Sequence, residues 1–215
     1  MAGFAQSPPN ATLVRFAGAE ILRGGAWALD VGCGAARNTV PLAQLGWNVL
    51  AVDLARPMIE AAAARAKMAG VSSQVRLALA PMHALPAATG SMDLIVAHGI
   101  WNLARSGDEF RQAVREASRV ARPGAALFVF TFSRRTLPAD AQPLPGETFV
   151  YTQFSGAPQC FLTEPQLISE LGAAGFCPDT AVPLTEHNVP RPGAISTGQV
   201  PVIYEAAFRF GARTA

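Results

Sequence analysis

Apolar residues along this chain fall into short blocks, separated by longer stretches in which they recur at helical spacing. Residues 27–31 and 49–52 read as strands, with a helix over residues 37–45 between them that opens on a glycine turn. Further strand-like blocks occupy 75–79, 92–97 and 126–132, and the 92–97 block is apolar on both faces, as a buried parallel strand is. Pro57 predicts the start of an alanine-rich helix over 58–69 that stops at Gly70. Residues 108–122 carry Phe110, Val114, Ala117 and Val120 or Ala121, a stripe that packs on a sheet, and Pro123-Gly124 is predicted to end that helix. Thr163 is the expected N-cap of a helix that begins at Leu162-Thr163-Glu164-Pro165 and runs to about Gly172. Two last strands are expected at 180–184 and 201–210. Strands alternating with helices predict an α/β fold, a parallel sheet with helices on both faces, in one domain spanning residues 1–215.

The first strand, helix and second strand carry the most specific chemistry. Gly32 and Gly34 allow a tight turn that lies against a ligand with no Cβ in the way, and Asp53 ends the second strand where a carboxylate can accept the hydroxyls of a ribose. The unit therefore predicts an adenosine-type cofactor. A dinucleotide fingerprint requires a small residue at position 37, which is Arg37. Small residues stand instead at 32, 34 and 36, and Asp30 precedes the first glycine by two.

Gly-x-Gly-x-small preceded by an acid resembles the S-adenosylmethionine loop of class I methyltransferases. The segment from Arg119 to Leu127, with its Arg-Pro-Gly, resembles the late landmark of the same family, so the likeness spans residues 28–132. It implies a doubly wound, Rossmann-like sheet, mostly parallel with a last antiparallel strand. It implies S-adenosylmethionine as cofactor, S-adenosylhomocysteine as product, and cofactor contacts from Asp30 at the methionine end, the loop Gly32-Cys33-Gly34, and Asp53 with Leu54 at the ribose. Many relatives place an acid after the third strand to hold the adenine amino group, whereas this chain reads Ala80-Pro81-Met82-His83, leaving Met82 packing or His83 to do so. Arg37-Asn38-Thr39, followed by Leu42, Ala43 and Gly46, looks like the tellurite-resistance methyltransferases and their small-molecule relatives.

The composition narrows the partners. Half of the residues are hydrophobic and 15% are charged, the net charge is +2, and no arginine stripe suits a phosphate backbone, so neither nucleic acid nor a membrane is expected. The three cysteines, Cys33, Cys160 and Cys177, lack disulfide or metal spacing, and no basic-then-apolar leader opens the sequence, so the expected location is the cytoplasm. The histidines His83, His98 and His187 have no zinc spacing either, so no metal is expected. The partner is a small-molecule acceptor, and the expected state is a monomer or homodimer.

Candidates for the acceptor side lie at the same sheet edge. His98 and Trp101 follow the fourth strand and are candidates for catalysis or, for His98, for cofactor contact; Arg37 and Trp101 are candidates for substrate contact. Arg134 and Arg135 leave the fifth strand and could read an anion, against the alternative of a solvated pair. Residues 28–132 form the expected cofactor core, 133–161 a substrate lid with a short hairpin and Tyr151 inside it, and 162–215 the closing helix and strands. Residues 187–193 are a possible second wall. Two rivals remain: a nicotinamide-dependent oxidoreductase, disfavoured by Arg37, and a domain that binds S-adenosylmethionine without catalysis.

Overall fold

The computed structural model describes residues 8–189 and 200–211. Asn10 caps a first helix, α1 (Ala11–Leu22), by accepting the Leu13 N–H, and this helix lays Leu13, Phe16 and Ala17 on the sheet. The alternation then runs β1 (Trp27–Val31), α2 (Thr39–Gln44), β2 (Asn48–Asp53), α3 (Arg56–Met68), β3 (Val75–Leu79) and β4 (Met92–His98). A short 3-10 turn at Trp101–Leu103 leads to α4 (Gly107–Val120) and β5 (Ala121–Phe132). A second 3-10 turn (Arg134–Thr136) precedes the hairpin β6 (Val150–Tyr151) and β7 (Gln159–Cys160), then α5 (Glu164–Ala173), β8 (Phe176–Pro178), β9 (Thr185–His187) and β10 (Ile203–Phe210).

The sheet order is β3-β2-β1-β4-β5-β10-β8, with β9 also on β10. β3 to β5 are parallel to their neighbours and β10 enters antiparallel to β5, as the doubly wound expectation requires. One face buries α1, α2 and α3 through Phe16, Leu42 and Ala62 around Trp47; the other buries α4 and α5 through Phe110, Val114, Leu167 and Leu171 around Trp101 and Phe176. The strands alternate accordingly: in β4, Ile95 and Ala97 go to the second face, Leu94 and Val96 to the first.

Four expectations shift. The helix predicted to begin at residue 37 starts at Thr39, because Ala36 takes a left-handed φ of 61° and keeps Arg37 and Asn38 in the turn. Pro123-Gly124 does not separate helix from strand: α4 ends at Val120, β5 already pairs at Ala121 with Met92, and residues 122–125 bulge out before Leu94 meets Ala126. Arg122 at that bulge binds Asp93 at 2.7 Å, and Asp93 also accepts the N–H groups of Ala26 and Trp27. The strand expected at 180–184 is a connection; the edge of β10 is paired instead by β8 and β9 on either side of it. α1 carries no counterpart among the predicted elements.

Candidate cofactor and acceptor site

The glycine turn stands at the carboxyl ends of β1, β2 and β4, and three left-handed residues shape it: Gly32 (φ 68°), Gly34 (φ 53°) and Ala36 (φ 61°). A Cβ on Gly32 would lie 2.6 Å from Ile100 Cδ1, so glycine there lets Ile100, two residues past β4, pack onto the turn. A Cβ on Gly34 would meet nothing within 4 Å, which leaves that side of the loop open to a ligand. The Cys33 N–H donates to Val52 O at 2.9 Å, tying the turn to β2. Burial pushes the Cys33 thiol far up, so it is an inert filler.

The two acids divide the work. Asp53 accepts the Gly34 N–H through Oδ2 and the Ala55 N–H through Oδ1, both at 2.9 Å, and remains half-buried beside exposed Leu54. Each oxygen keeps a lone pair for a further donor. Asp30 is 2% exposed and accepts the Thr39 hydroxyl at 2.6 Å, so it anchors α2 below the turn; a direct contact with the methionine end is not its geometry. Burial raises its pKa to about 6, against the Thr39 bond and the Arg37 charge, which lower it.

His98 closes the edge at the end of β4. Its ring stacks on Phe130 with centroids 4.1 Å apart, and Arg37 Nη2 lies 3.1 Å from Nδ1. Asn10 Nδ2 lies 3.3 Å from Nε2 and also donates to buried Glu205 at 2.7 Å, and Glu205 stands 3.5 Å from His187. Burial first and Arg37 second bring the His98 pKa down to about 4, so its imidazole is neutral near neutral pH. The N-terminal helix cap, the glycine turn, β4 and β10 thus meet in one polar cluster of Asn10, Arg37, Asn38, His98, Glu205 and His187. Asn10 and Glu205 went unseen in the sequence, although Asn10 before an apolar helical stripe is a legible cap signal.

Several acceptor-side expectations are corrected. Trp101 is 1% exposed and meets Phe110 edge-on, so it is a core residue with no wall to offer a substrate. Arg134 does not await an anion: its guanidinium donates to the carbonyls of Leu137, Pro138, Ala139 and Ala141, donates to the Tyr151 hydroxyl and lies over that ring. Tyr151 is buried with Leu137 and Phe161 in a small aromatic cluster. Arg135 pairs with Glu186 at 2.7 Å. His83 is exposed and 3.9 Å from Glu109, while Met82 packs partly on the core beside the end of β3. The hairpin expected within 133–161 is present as β6 and β7. Of the possible second wall, residues 190–193 lie outside the described residues. Among the described residues no group of three or more His, Cys, Asp or Glu side chains could hold a metal ion.

A doubly wound sheet with an inserted antiparallel strand, a glycine turn after β1 and an acid closing β2 resembles the fold of class I S-adenosylmethionine-dependent methyltransferases. Comparison with known proteins agrees: residues 29–129 match the methyltransferase domain family. A demethylmenaquinone methyltransferase of Corynebacterium efficiens is 31% identical over 118 residues, covering 54% of this chain and 46% of that protein. A ubiquinone biosynthesis O-methyltransferase of Caulobacter vibrioides is 31% identical over 122 residues, covering 57% and 46%. This chain thus matches about half the length of these relatives. Among solved structures, the Burkholderia thailandensis 1,6-didemethyltoxoflavin-N1-methyltransferase, with bound 1,6-didemethyltoxoflavin and S-adenosylhomocysteine, superposes with a TM-score of 0.65 at 23% identity, over 93% of this chain and 78% of that one.

Proposed function

We propose that this protein transfers a methyl group from S-adenosylmethionine to a small-molecule acceptor. The observation that carries the reading is the pairing of an open Gly34 with Asp53, whose half-buried carboxylate holds the turn with lone pairs to spare. The residues fit the cofactor: Gly32 to Gly34 underlie it, Asp53 takes the ribose hydroxyls, and Leu54 and Met82 flank the adenine with apolar surface. Once bound, the cofactor supplies a sulfonium methyl with a good leaving group, so the protein's task is to position an acceptor in line and exclude water.

The relatives named for quinone biosynthesis and the toxoflavin neighbour support a small organic acceptor, and the Arg37-Asn38-Thr39 resemblance adds chalcogen oxyanions to the acceptors worth assaying. The segment 133–161 covers the acceptor; Phe149, Val150, Cys160 and Phe161 are buried and fix it on the protein, so the surface it turns to an acceptor comes from its less buried residues. Among the described residues no helix is long and apolar enough to cross a membrane.

Calorimetry with S-adenosylhomocysteine and with NAD, on the wild type and on Asp53→Ala, tests the reading. The homocysteine ligand should bind, NAD should not, and loss of charge-assisted bonds of about 1.5–3 kcal/mol each should weaken binding at least about tenfold. Release of S-adenosylhomocysteine with an acceptor panel of quinols, thiols, amines and tellurite then separates an enzyme from a silent binder. Binding of NAD in place of S-adenosylhomocysteine would refute the reading.

A further inference from the structure

The polar cluster above the glycine turn holds more donors than acceptors. Arg37 is donor-only, and its guanidinium faces His98, 3.1 Å from Nδ1 and 3.4 Å from Nε2. The Asn10 amide is fixed by its other bonds: Oδ1 takes the Leu13 N–H at 2.8 Å, and the group that reaches the Glu205 carboxylate at 2.7 Å must be the NH2. It is therefore a donor that stands 3.3 Å from His98 Nε2. A neutral imidazole has one accepting nitrogen, so it can satisfy one of these two neighbours, and a protonated ring would satisfy neither.

No neighbouring acid completes the set. Among the described residues Arg37 makes no ion pair, because Asp30, whose charge acts on it, is buried and engaged by Thr39. Asn38 is buried and its Oδ1 takes the Asn10 N–H at 3.1 Å. Glu205 lies beyond Asn10, held between that amide and His187. What remains is a half-buried guanidinium whose one side-chain partner among the described residues is a neutral ring clamped on Phe130, beside the turn where the ligand is expected.

We propose that Arg37, flanked by the Asn10 amide and backed by His98, is an oxyanion-binding position that takes the carboxylate or equivalent group of a bound ligand. The shared chemistry has two sources, the amino-acid end of the cofactor or an anionic acceptor, and the assignment rests on the methyltransferase reading above. A guanidinium offers a carboxylate two parallel N–H bonds, and partial burial raises the worth of that pairing over a solvated one. A neutral His98 adds no second cation to repel Arg37 and no carboxylate to occupy it.

Arg37→Gln and Arg37→Lys separate the sources. The probes are S-adenosylhomocysteine, 5′-methylthioadenosine, which is a nucleoside thioether without the amino-acid end, and benzoate titrated into protein saturated with S-adenosylhomocysteine. Circular dichroism and a thermal melt establish that each variant is folded. If the oxyanion is the cofactor's, Arg37→Gln weakens S-adenosylhomocysteine by about tenfold or more, as loss of a charge-assisted pair does, and changes 5′-methylthioadenosine little. If it is the acceptor's, both nucleosides bind as in the wild type and benzoate binding is lost. In either case Arg37→Lys recovers part of the affinity, because it keeps the charge without the fork. Equal losses for both nucleosides would assign Arg37 a structural role, and unchanged S-adenosylhomocysteine with no Arg37-dependent benzoate heat would leave the position without an anion; each overturns the proposal. A wild type that binds neither nucleoside refutes the methyltransferase reading itself, and the inference with it.

Discussion

Two titratable groups beside the glycine turn should oppose each other in the pH dependence of stability, and removing one should expose the other. Asp30 has a folded pKa raised from 3.8 to about 6, so folding is unhindered by it below pH 3.8 and loses stability as pH rises through 6. At about 1.4 kcal/mol per unit, the full loss is about 3 kcal/mol. His98 has a folded pKa lowered from 6.5 to about 4, so its contribution is whole above pH 6.5 and is lost as pH falls through 4, again by about 3 kcal/mol. Between pH 4 and pH 6.5 the two trends cancel in the wild type. Asp30→Asn keeps an acceptor for Thr39 but no ionisable group, so relative to the wild type it should gain up to about 3 kcal/mol as pH rises across that window. His98→Gln should show the opposite slope. Urea unfolding at a series of pH values, with m-values unchanged between variants, measures both, and comparison with the wild type removes the other carboxylates. A difference in stability between Asp30→Asn and wild type that is the same at every pH would refute the argument, because it would mean that Asp30 ionises over the same pH range in the folded and the unfolded chain.

Three further outcomes follow from the same geometry. Gly32→Ala places a methyl 2.6 Å from Ile100 at φ 68° and should cost a few kcal/mol, part of which Ile100→Ala in the same chain restores; thermal melts of the four-protein cycle check this. Gly34→Ala meets nothing within 4 Å and should cost only the left-handed strain of about 1–2 kcal/mol, yet calorimetry should find S-adenosylhomocysteine binding lost if, as proposed, the ligand fills that open side of the loop. Arg134→Gln releases four carbonyls and the Tyr151 ring and should speed amide exchange over residues 137–141, whereas Arg135→Gln, which breaks one exposed pair with Glu186, should change stability by less than about 1 kcal/mol; neither should alter S-adenosylhomocysteine affinity.

Strands buried on both faces were the legible part of the sequence, because a largely apolar block such as 92–97 has few other uses in a chain of this length. Elements whose sequence is ambiguous were not. The bulge at residues 122–125 hides behind Pro-Gly, which reads as a boundary between elements, and only the Asp93 to Arg122 pair across the strands shows why β5 begins earlier. β8 and β9 are three residues each, too short for any periodicity, and exist because β10 offers an edge to pair with. α1 had its signal in Asn10, Leu13, Phe16 and Ala17, but its weakly amphipathic, alanine-containing run does not stand out until the sheet face it covers is known.

At the site, the same distinction separates backbone chemistry from side-chain chemistry. Gly32, Gly34 and Asp53 were readable because their roles follow from local geometry: a turn, an approach and a strand end. Arg134 and Trp101 were misplaced because sequence puts a residue at an edge without saying which way it points, and both spend their side chains on the protein itself. Arg37 is the converse. Its position in the turn disqualified a dinucleotide, and the reason it is tolerated there emerges only from residues 10, 98 and 205, which bring the N-terminal cap, β4 and β10 to the same place. An arginine in the third small position crowds no helix here, because Ala36 has already taken the left-handed step and α2 begins two residues after Arg37, so the side chain reaches His98 at the end of β4 and its charge joins the polar cluster there.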